Sequence, residues 1–439
     1  MSNTPAQPQS PSWVAHAIGW HVYPLGFVGA PIRPEQKITH STSRHTMDDL
    51  VQWLDYAQQL GLNAIQLGPV FDSVSHGYDT LDYYRIDPRL GDEEACTRFL
   101  EAAHQRGFKV LFDGVFNHLS SQASLFQEAL QQPESDAAQL FAIDRSDPDN
   151  PIAPCFEGHE DLVEFDHASE ATAKFVTDIL DYWLARGVDG WRMDAAYSLP
   201  AEFWAKVLPP LREKYPEAYF YGEVIHGDYP QIVQASTLDS VTEYELWKAV
   251  WSSLKEGNFF ELEWTLRRHN EFLDTFVPVT FIGNHDVTRI ATTVGADKAV
   301  LALTVLLTVG GTPLIYYGDE QAYTGAKEER LGGDDQVRPV MPEHPDELAD
   351  LGQWMYEAHQ QLIAIRRQYP WLHTARVAVD HLENEHLVYT VSAHDGSHAE
   401  QGSDKPRQLQ VELKISGAQG TPEAIVRVPG QSDTLFHRA

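Results

Sequence analysis

The chain has 439 residues, 43% hydrophobic and 11% aromatic, enough to bury a large core and build more than one domain. Asp and Glu number 64 against 32 Lys and Arg, a formal net charge of -32, which disfavours nucleic acid and anionic membranes as partners and favours a neutral substrate. Cys96 and Cys155 form no C-x-x-C unit, so redox chemistry and a thiol-type metal site lack support.

The opening "MSNTPAQPQSPS" has neither the basic start nor the apolar run of a signal peptide, so a cytoplasmic protein is expected. "IGWHVYPL" reads as a first strand, followed by a helix from about Met47 to Leu60 with Met47, Leu50, Val51, Leu54 and Ala57 on one face. "NAIQLG" is a second strand. A helix near 93–106 leads to "FKVLFDGV", a third strand whose end carries Asp113, Asn117 and His118. The rhythm then breaks: 119–166, with its run "DRSDPDNPIAPCFEGHEDL", is too irregular for a loop and reads as an inserted subdomain.

Alternation resumes with a helix near 171–186, the strand "VDGWRMD", a helix near 200–214 and the strand "AYFYGEV". "SVTEYE" is a sixth strand, with one long helix predicted after it to about Asn270. "VPVTFIGNHD" and "TPLIYYGDE" supply the seventh and eighth. The longest apolar stretch, "AVLALTVLLTVGGTPLIYY", is broken by two glycines and a proline, which suits a buried helix and a strand and not a membrane span.

Eight strands each followed by a helix predict an α/β protein built on a (β/α)8 barrel, residues 1–118 and 167–370, with the insert at 119–166. After a helix near 350–367, residues 371–439 alternate as short antiparallel strands and predict a small C-terminal β-domain. Within it, the polar segment "SAHDGSHAEQGSDKPRQ" reads as an exposed hairpin loop.

In such a barrel the chemistry sits at the C-terminal ends of the strands. Those ends carry Asp113, Asn117 and His118, then Arg192 and Asp194, then Glu223, then His285 and Asp286. Carboxylates flanked by His and Arg, without a thiol site, suit acid/base and nucleophilic work on a polar neutral molecule. Glycoside hydrolysis fits. A retaining enzyme needs a nucleophilic carboxylate and a protonated carboxyl about 5 Å apart.

The segments "DGVFNH", "GVDGWRMDAAY", "YGEV" and "FIGNHD", in that order, resemble the α-amylase family, glycoside hydrolase family 13, from about Trp20 to the end of the chain. The resemblance implies that Asp194 is the nucleophile, Glu223 the general acid/base, and Asp286 the third carboxylate, which holds sugar hydroxyls. It implies that Arg192 keeps Asp194 ionised and oriented, that His118 and His285 donate to hydroxyls of the cleaved sugar, and that Tyr78 forms a platform beneath it. Asp113 would orient its neighbours, and Asp334 with Arg338, in "GGDDQVRPV", would grip the next sugar on the non-reducing side.

Tyr197 and Ser198 stand where many amylases have a Lys-His pair that contributes to a calcium site. That weakens the case for calcium, and no cofactor is expected to be required, although Asn117 and the aspartates of the insert could supply oxygen ligands to calcium. "GEVIHGDY", with His226 three residues beyond Glu223, is similar to the intracellular cyclomaltodextrinase and neopullulanase group and to hydrolases of cyclic maltosyl-maltose. With the first strand beginning near Ile18, the N-terminal β-domain of many cyclomaltodextrinases is not expected here.

The resemblance thus implies a retaining hydrolase of α-1,4-glucosidic bonds in small linear or cyclic maltooligosaccharides. A transglycosylase or isomerase with the same residues, and a non-catalytic sugar-binding relative, are the alternatives. Oligomeric state is not legible.

Overall fold

The computed structural model describes residues 10–34, 46–147, 149–394, 406–417 and 420–439. The segment 395–405, expected to be part of an exposed hairpin loop, lies outside the described residues. Eight parallel strands form the central sheet: β1 (Gly19–Val22), β2 (Ala64–Leu67), β3 (Lys109–Gly114), β4 (Gly190–Met193), β5 (Tyr219–Gly222), β6 (Ser240–Val241), β7 (Val279–Phe281) and β8 (Thr312–Tyr316). Their order, β6-β5-β4-β3-β2-β1-β8-β7, closes on itself through a parallel bridge between Thr242 and Val279. The Glu243 amide donates to the Val279 carbonyl there at 2.9 Å. The result is the (β/α)8 barrel that the strand spacing predicts.

The strands are almost wholly buried, as expected where helices cover the outside and side chains fill the inside. On β4, Trp191 and Met193 are fully buried hydrophobic residues, while Gly190 and Arg192 alternate with them and turn to the opposite face. The first long helix, α1 (Met47–Leu60), shows how local sequence sets its ends. Thr46 and Asp49 form a reciprocal capping box, and Gly61 ends it at φ 97°, a left-handed conformation that glycine adopts without a side-chain clash.

One expectation is corrected. The single long helix after β6 is two, α2 (Tyr244–Glu256) and α3 (Phe260–Phe272). Gly257 sits at φ 68° and its amide donates back to the Ser253 carbonyl, a helix stop that apolar periodicity running through it concealed. The stretch after it behaves as predicted: α4 (Ala296–Thr308) is buried from Ala299 to Thr308, inside the molecule. Among the described residues no helix is long and apolar enough to cross a membrane.

Between β3 and β4, the short strand His118–Ser120 pairs antiparallel with Leu162–Glu164, and the helix Ser124–Gln131 lies between them in sequence. At the C-terminal end, β9 (Arg376–Leu382), β10 (His386–Ser392), β11 (Gln408–Lys414), β12 (Glu423–Arg427) and β13 (Thr434–Arg438) form a five-stranded antiparallel sheet in sequence order. Leu387, Tyr389 and Val391 are buried on its inner face, and the Tyr389 hydroxyl meets Thr308 Oγ1 of α4 at 2.7 Å.

Candidate active site

Arg192 organises the site. Its Nη1 donates to both oxygens of Asp113 at 2.6 Å and to Asp194 Oδ1 at 3.1 Å. Its Nη2 lies 2.7 Å from Glu223 Oε1. Asp113 ends β3, Asp194 follows β4 and Glu223 follows β5, so three neighbouring strands bring three carboxylates to one guanidinium. All four residues are at least nine-tenths buried.

An isolated charge would be costly in such a place, and three anions exceed what one cation neutralises. Burial accordingly pushes the Asp194 carboxyl well above its ordinary value, against the pull of Arg192, and the neighbouring Glu223 and Asp113 push the same way. Asp113 is also raised by burial and lowered by Arg192. The site therefore holds Arg192 firmly as a cation while burial favours the protons of Asp113 and Asp194.

Backbone geometry aims the second carboxylate. Ala195, directly after Asp194, is in the left-handed region at φ 45°, which costs a residue with a Cβ about 1 kcal/mol or more. In that conformation its amide donates to Glu223 Oε2 at 3.2 Å. Gly222 allows the close approach: a Cβ there would meet Ala196 Cβ at 2.8 Å and Leu238 Cδ1 at 2.9 Å.

Two residues that sequence reasoning missed complete the cage. The Tyr244 hydroxyl donates to Glu223 Oε1 at 2.9 Å and accepts from Asn284 Nδ2 at 2.9 Å. Asn284 Oδ1 in turn accepts from the Asp286 amide at 2.9 Å. Both lie within three residues of a strand end, in "SVTEYE" and "FIGNHD". That position was the available signal, but neither titrates near neutral pH and neither drew notice.

On the opposite wall, His285 is fully buried and its Nε2 lies 2.8 Å from Asp286 Oδ2. The same nitrogen contacts the Tyr78 hydroxyl, which donates to Asp113 Oδ2 at 3.0 Å. The Tyr78 and His285 rings are parallel within 5° with centroids 5.2 Å apart. Asp286 also receives Arg338 Nη2 at 2.9 Å, and that guanidinium reaches Asp334 Oδ2 at 3.2 Å. Burial opposes ionisation of Asp286, but His285, Arg338 and Lys327 together hold its carboxyl well below the ordinary value.

The structure joins Asp194, Glu223, Asp286, Arg192, Tyr78, His285 and Arg338 in one network, with Asp334 at its edge. It treats two other expected residues differently. The His118 Nε2 donates to the Tyr78 carbonyl at 3.0 Å, Asn117 Nδ2 lies 3.3 Å from Nδ1, and the ring stacks on Phe156. Burial lowers its pKa to about 4, so the ring is neutral with both nitrogens engaged by protein, and a sugar hydroxyl could accept its Nε2 proton only by displacing the Tyr78 carbonyl.

His226 is exposed and outside the carboxylate cluster. Its ring centroid is 5.6 Å from that of Tyr197, whose hydroxyl donates to Glu157 Oε1 of the insert at 3.1 Å.

Known proteins resemble this chain over most of its length. The model of the α-amylase catalytic domain matches residues 37–375. A cyclomaltodextrinase of Geobacillus thermopakistaniensis is 29% identical over 414 residues, covering 87% of this chain and 67% of that protein. Among solved structures, an acarbose-soaked debranching enzyme of Nostoc punctiforme is 27% identical with a TM-score of 0.75, covering 97% of this chain and 94% of that one. The ligand-free cyclic α-maltosyl-(1→6)-maltose hydrolase of Arthrobacter globiformis shares the fold, with a TM-score of 0.78 at 21% identity over 98% of this chain and 99% of that one. Since the matched segment contains strands β2 to β8 and every carboxylate around Arg192, the chain belongs to the α-amylase family of glycoside hydrolases.

Proposed function

We propose that the protein is a retaining hydrolase of α-1,4-glucosidic bonds in small linear or cyclic maltooligosaccharides. The observation that carries this reading is the sharing of Arg192 by Asp194 and Glu223 at the ends of adjacent strands. A displacement at an anomeric carbon needs two carboxyl groups acting on one bond. The likeness to a cyclomaltodextrinase over most of the chain favours small or cyclic α-glucans as substrates.

In this reading Asp194, drawn to its carboxylate form by Arg192 against the burial that favours its proton, attacks the anomeric carbon as Glu223 gives its proton to the glycosidic oxygen, so the C–O bond to the leaving sugar breaks while a glycosyl-Asp194 ester forms. Glu223, now a carboxylate, takes a proton from water. The resulting oxygen displaces Asp194 and releases the sugar with its original anomeric configuration. Arg192 stays a cation throughout and favours the carboxylate form of Asp194 at departure.

Asp286, kept ionised by His285 and Arg338, accepts hydrogen bonds from sugar hydroxyls that strengthen as the ring gains positive charge. The Tyr78 ring lies under that sugar. The scheme calls for no metal or organic cofactor.

Reducing-sugar release from maltotriose and cyclodextrins tests the proposal, with Asp194→Asn and Glu223→Gln each expected to lower kcat by at least about 10³-fold. Near-wild-type rates in either variant would overturn the assignment. Reaction in labelled water separates hydrolysis from transfer to a second sugar: products without label would make the protein a transglycosylase or isomerase, and no turnover at all would make it a binding relative.

A further inference from the structure

Outside the Arg192 site, the outer face of the C-terminal sheet gathers two imidazoles and a carboxylate. His381, Glu383 and His386 each present a ligand atom, and these atoms all lie within 4.8 Å of one another. We propose that these three residues form a binding site for a divalent transition-metal ion of the zinc type.

The register of the hairpin builds the cluster. Glu383 and His386 face each other across the turn, where the Glu383 amide donates to the His386 carbonyl at 2.7 Å. In an unbroken ladder His381 would point to the buried side, because Val379 pairs with the inward Tyr389 and side chains alternate. A bulge between Val379 and His381 shifts the pairing so that His381 stands opposite Val388. The extra residue, Asp380, binds Thr390 Oγ1 at 2.6 Å, and His381 moves to the outer face beside the other two ligands.

The spacing suits a small ion. His381 Nε2 and Glu383 Oε1 are 3.4 Å apart, which matches the edge of about 3.4 Å for a tetrahedron with bonds of about 2.1 Å. The two imidazole rings have centroids 4.6 Å apart. Exposed side chains can close the remaining gap by small rotations. Glu412 Oε1 lies 3.1 Å from His386 Nε2, so His386 would bind the ion through Nδ1 and keep a carboxylate on its other nitrogen, as metal-bound imidazoles commonly do.

Lys414, which lines the same groove, is already paired with Glu412 at 2.9 Å and Glu423 at 2.8 Å, so it does not leave the pocket positive. Two nitrogens and one oxygen favour zinc, cobalt or nickel over calcium or magnesium. An open groove lined by Phe260, Glu383, His386 and Lys414 gives an entry path.

The site lies where the sheet meets the barrel. The turn residue Asn384 accepts from the Phe259 amide at 2.9 Å, just before α3. A bound ion would tie β9 to β10 at that contact and so favour the docked state.

The test uses the untagged full-length chain, stripped with a chelator and titrated with zinc chloride by calorimetry, with cobalt(II) absorbance as a second readout. We expect one equivalent bound, a rise in Tm with zinc, and a tetrahedral cobalt spectrum. His381→Ala and His386→Ala should each weaken binding at least tenfold and abolish the Tm rise while leaving the metal-free Tm and reducing-sugar release unchanged. Should His386→Ala fold poorly, His381→Ala and Glu383→Gln serve alone, since both residues are exposed. Absence of zinc binding by the wild-type chain, or binding of equal affinity by these variants, overturns the proposal.

Discussion

Arg192 Nη2 lies 2.7 Å from Glu223 Oε1, so the guanidinium that steadies the proposed nucleophile also touches the proposed proton donor. A single cation thereby sets the separation of the two reacting groups. Arg192→Lys keeps the charge but loses the planar fork that reaches three carboxylates. We expect kcat to fall at least about 100-fold, because small misplacements of reacting groups cost that much. Arg192→Ala should also destabilise the fold by about 3 to 5 kcal/mol, since it leaves buried carboxylates unpaired. Kinetics on maltotriose and denaturant melts check both, and unchanged melts with reduced kcat would confine the role of Arg192 to chemistry.

Tyr244→Phe removes the hydroxyl between Glu223 and Asn284 and little else. That hydrogen bond to Glu223 is worth about 1.5 kcal/mol, or roughly tenfold in rate. The loss should be greatest on maltooligosaccharides and smaller on aryl glycosides, whose leaving groups need less protonation. Equal losses on both substrate types would mean that Tyr244 does not act through Glu223.

Ala195→Gly relieves the left-handed strain after Asp194. We expect about 1 kcal/mol more stability against urea, together with lower turnover as the amide aimed at Glu223 loosens. A variant less stable than wild type would show that the conformation carries no strain.

Glu320 and Asp319, after β8, are fully enclosed, and burial raises them to about 7 and about 6. For Glu320 the folded value exceeds the ordinary 4.5, so folding favours its proton. The associated stability is complete below about pH 4.5 and is lost as pH rises through 7. Glu320→Gln keeps the acceptor for the Gly318 amide, now 2.8 Å from Oε2, without a charge. Its Tm advantage over wild type should grow from pH 5 to pH 8, by at most about 3 kcal/mol in stability. Parallel curves would sink this account.

The barrel was legible because each strand is a short apolar run ending in a polar residue, and because the motifs of "DGVFNH", "GVDGWRMDAAY", "YGEV" and "FIGNHD" mark four of those ends. The partners of Arg192 were less so. Pairing with Asp194 follows from alternation on one strand, but the bonds to Asp113 and Glu223 depend on how neighbouring strands stagger, which no local pattern encodes.

His118 shows the limit from the other side: its type and place suited a sugar donor, yet the Tyr78 carbonyl occupies its Nε2. The break at Gly257 was written in the sequence and was outweighed by the helical periodicity around it. Tyr244 and Asn284 were overlooked because uncharged residues give no signal in a search for titratable ones.

The two-residue strand β6 has a further consequence. Between it and β7 the backbone contributes little more than the Thr242–Val279 bridge, so the barrel wall is thinnest on the side where Tyr244 and Asn284 stand. Their side-chain bond spans that weak join as a clasp above a half-fastened zip. Slight splaying of the wall would therefore unfasten the clasp and loosen Tyr244 over Glu223, leaving Arg192 and the Ala195 amide to hold that carboxyl, so the seating of the proposed proton donor is tied to how tightly the barrel is shut.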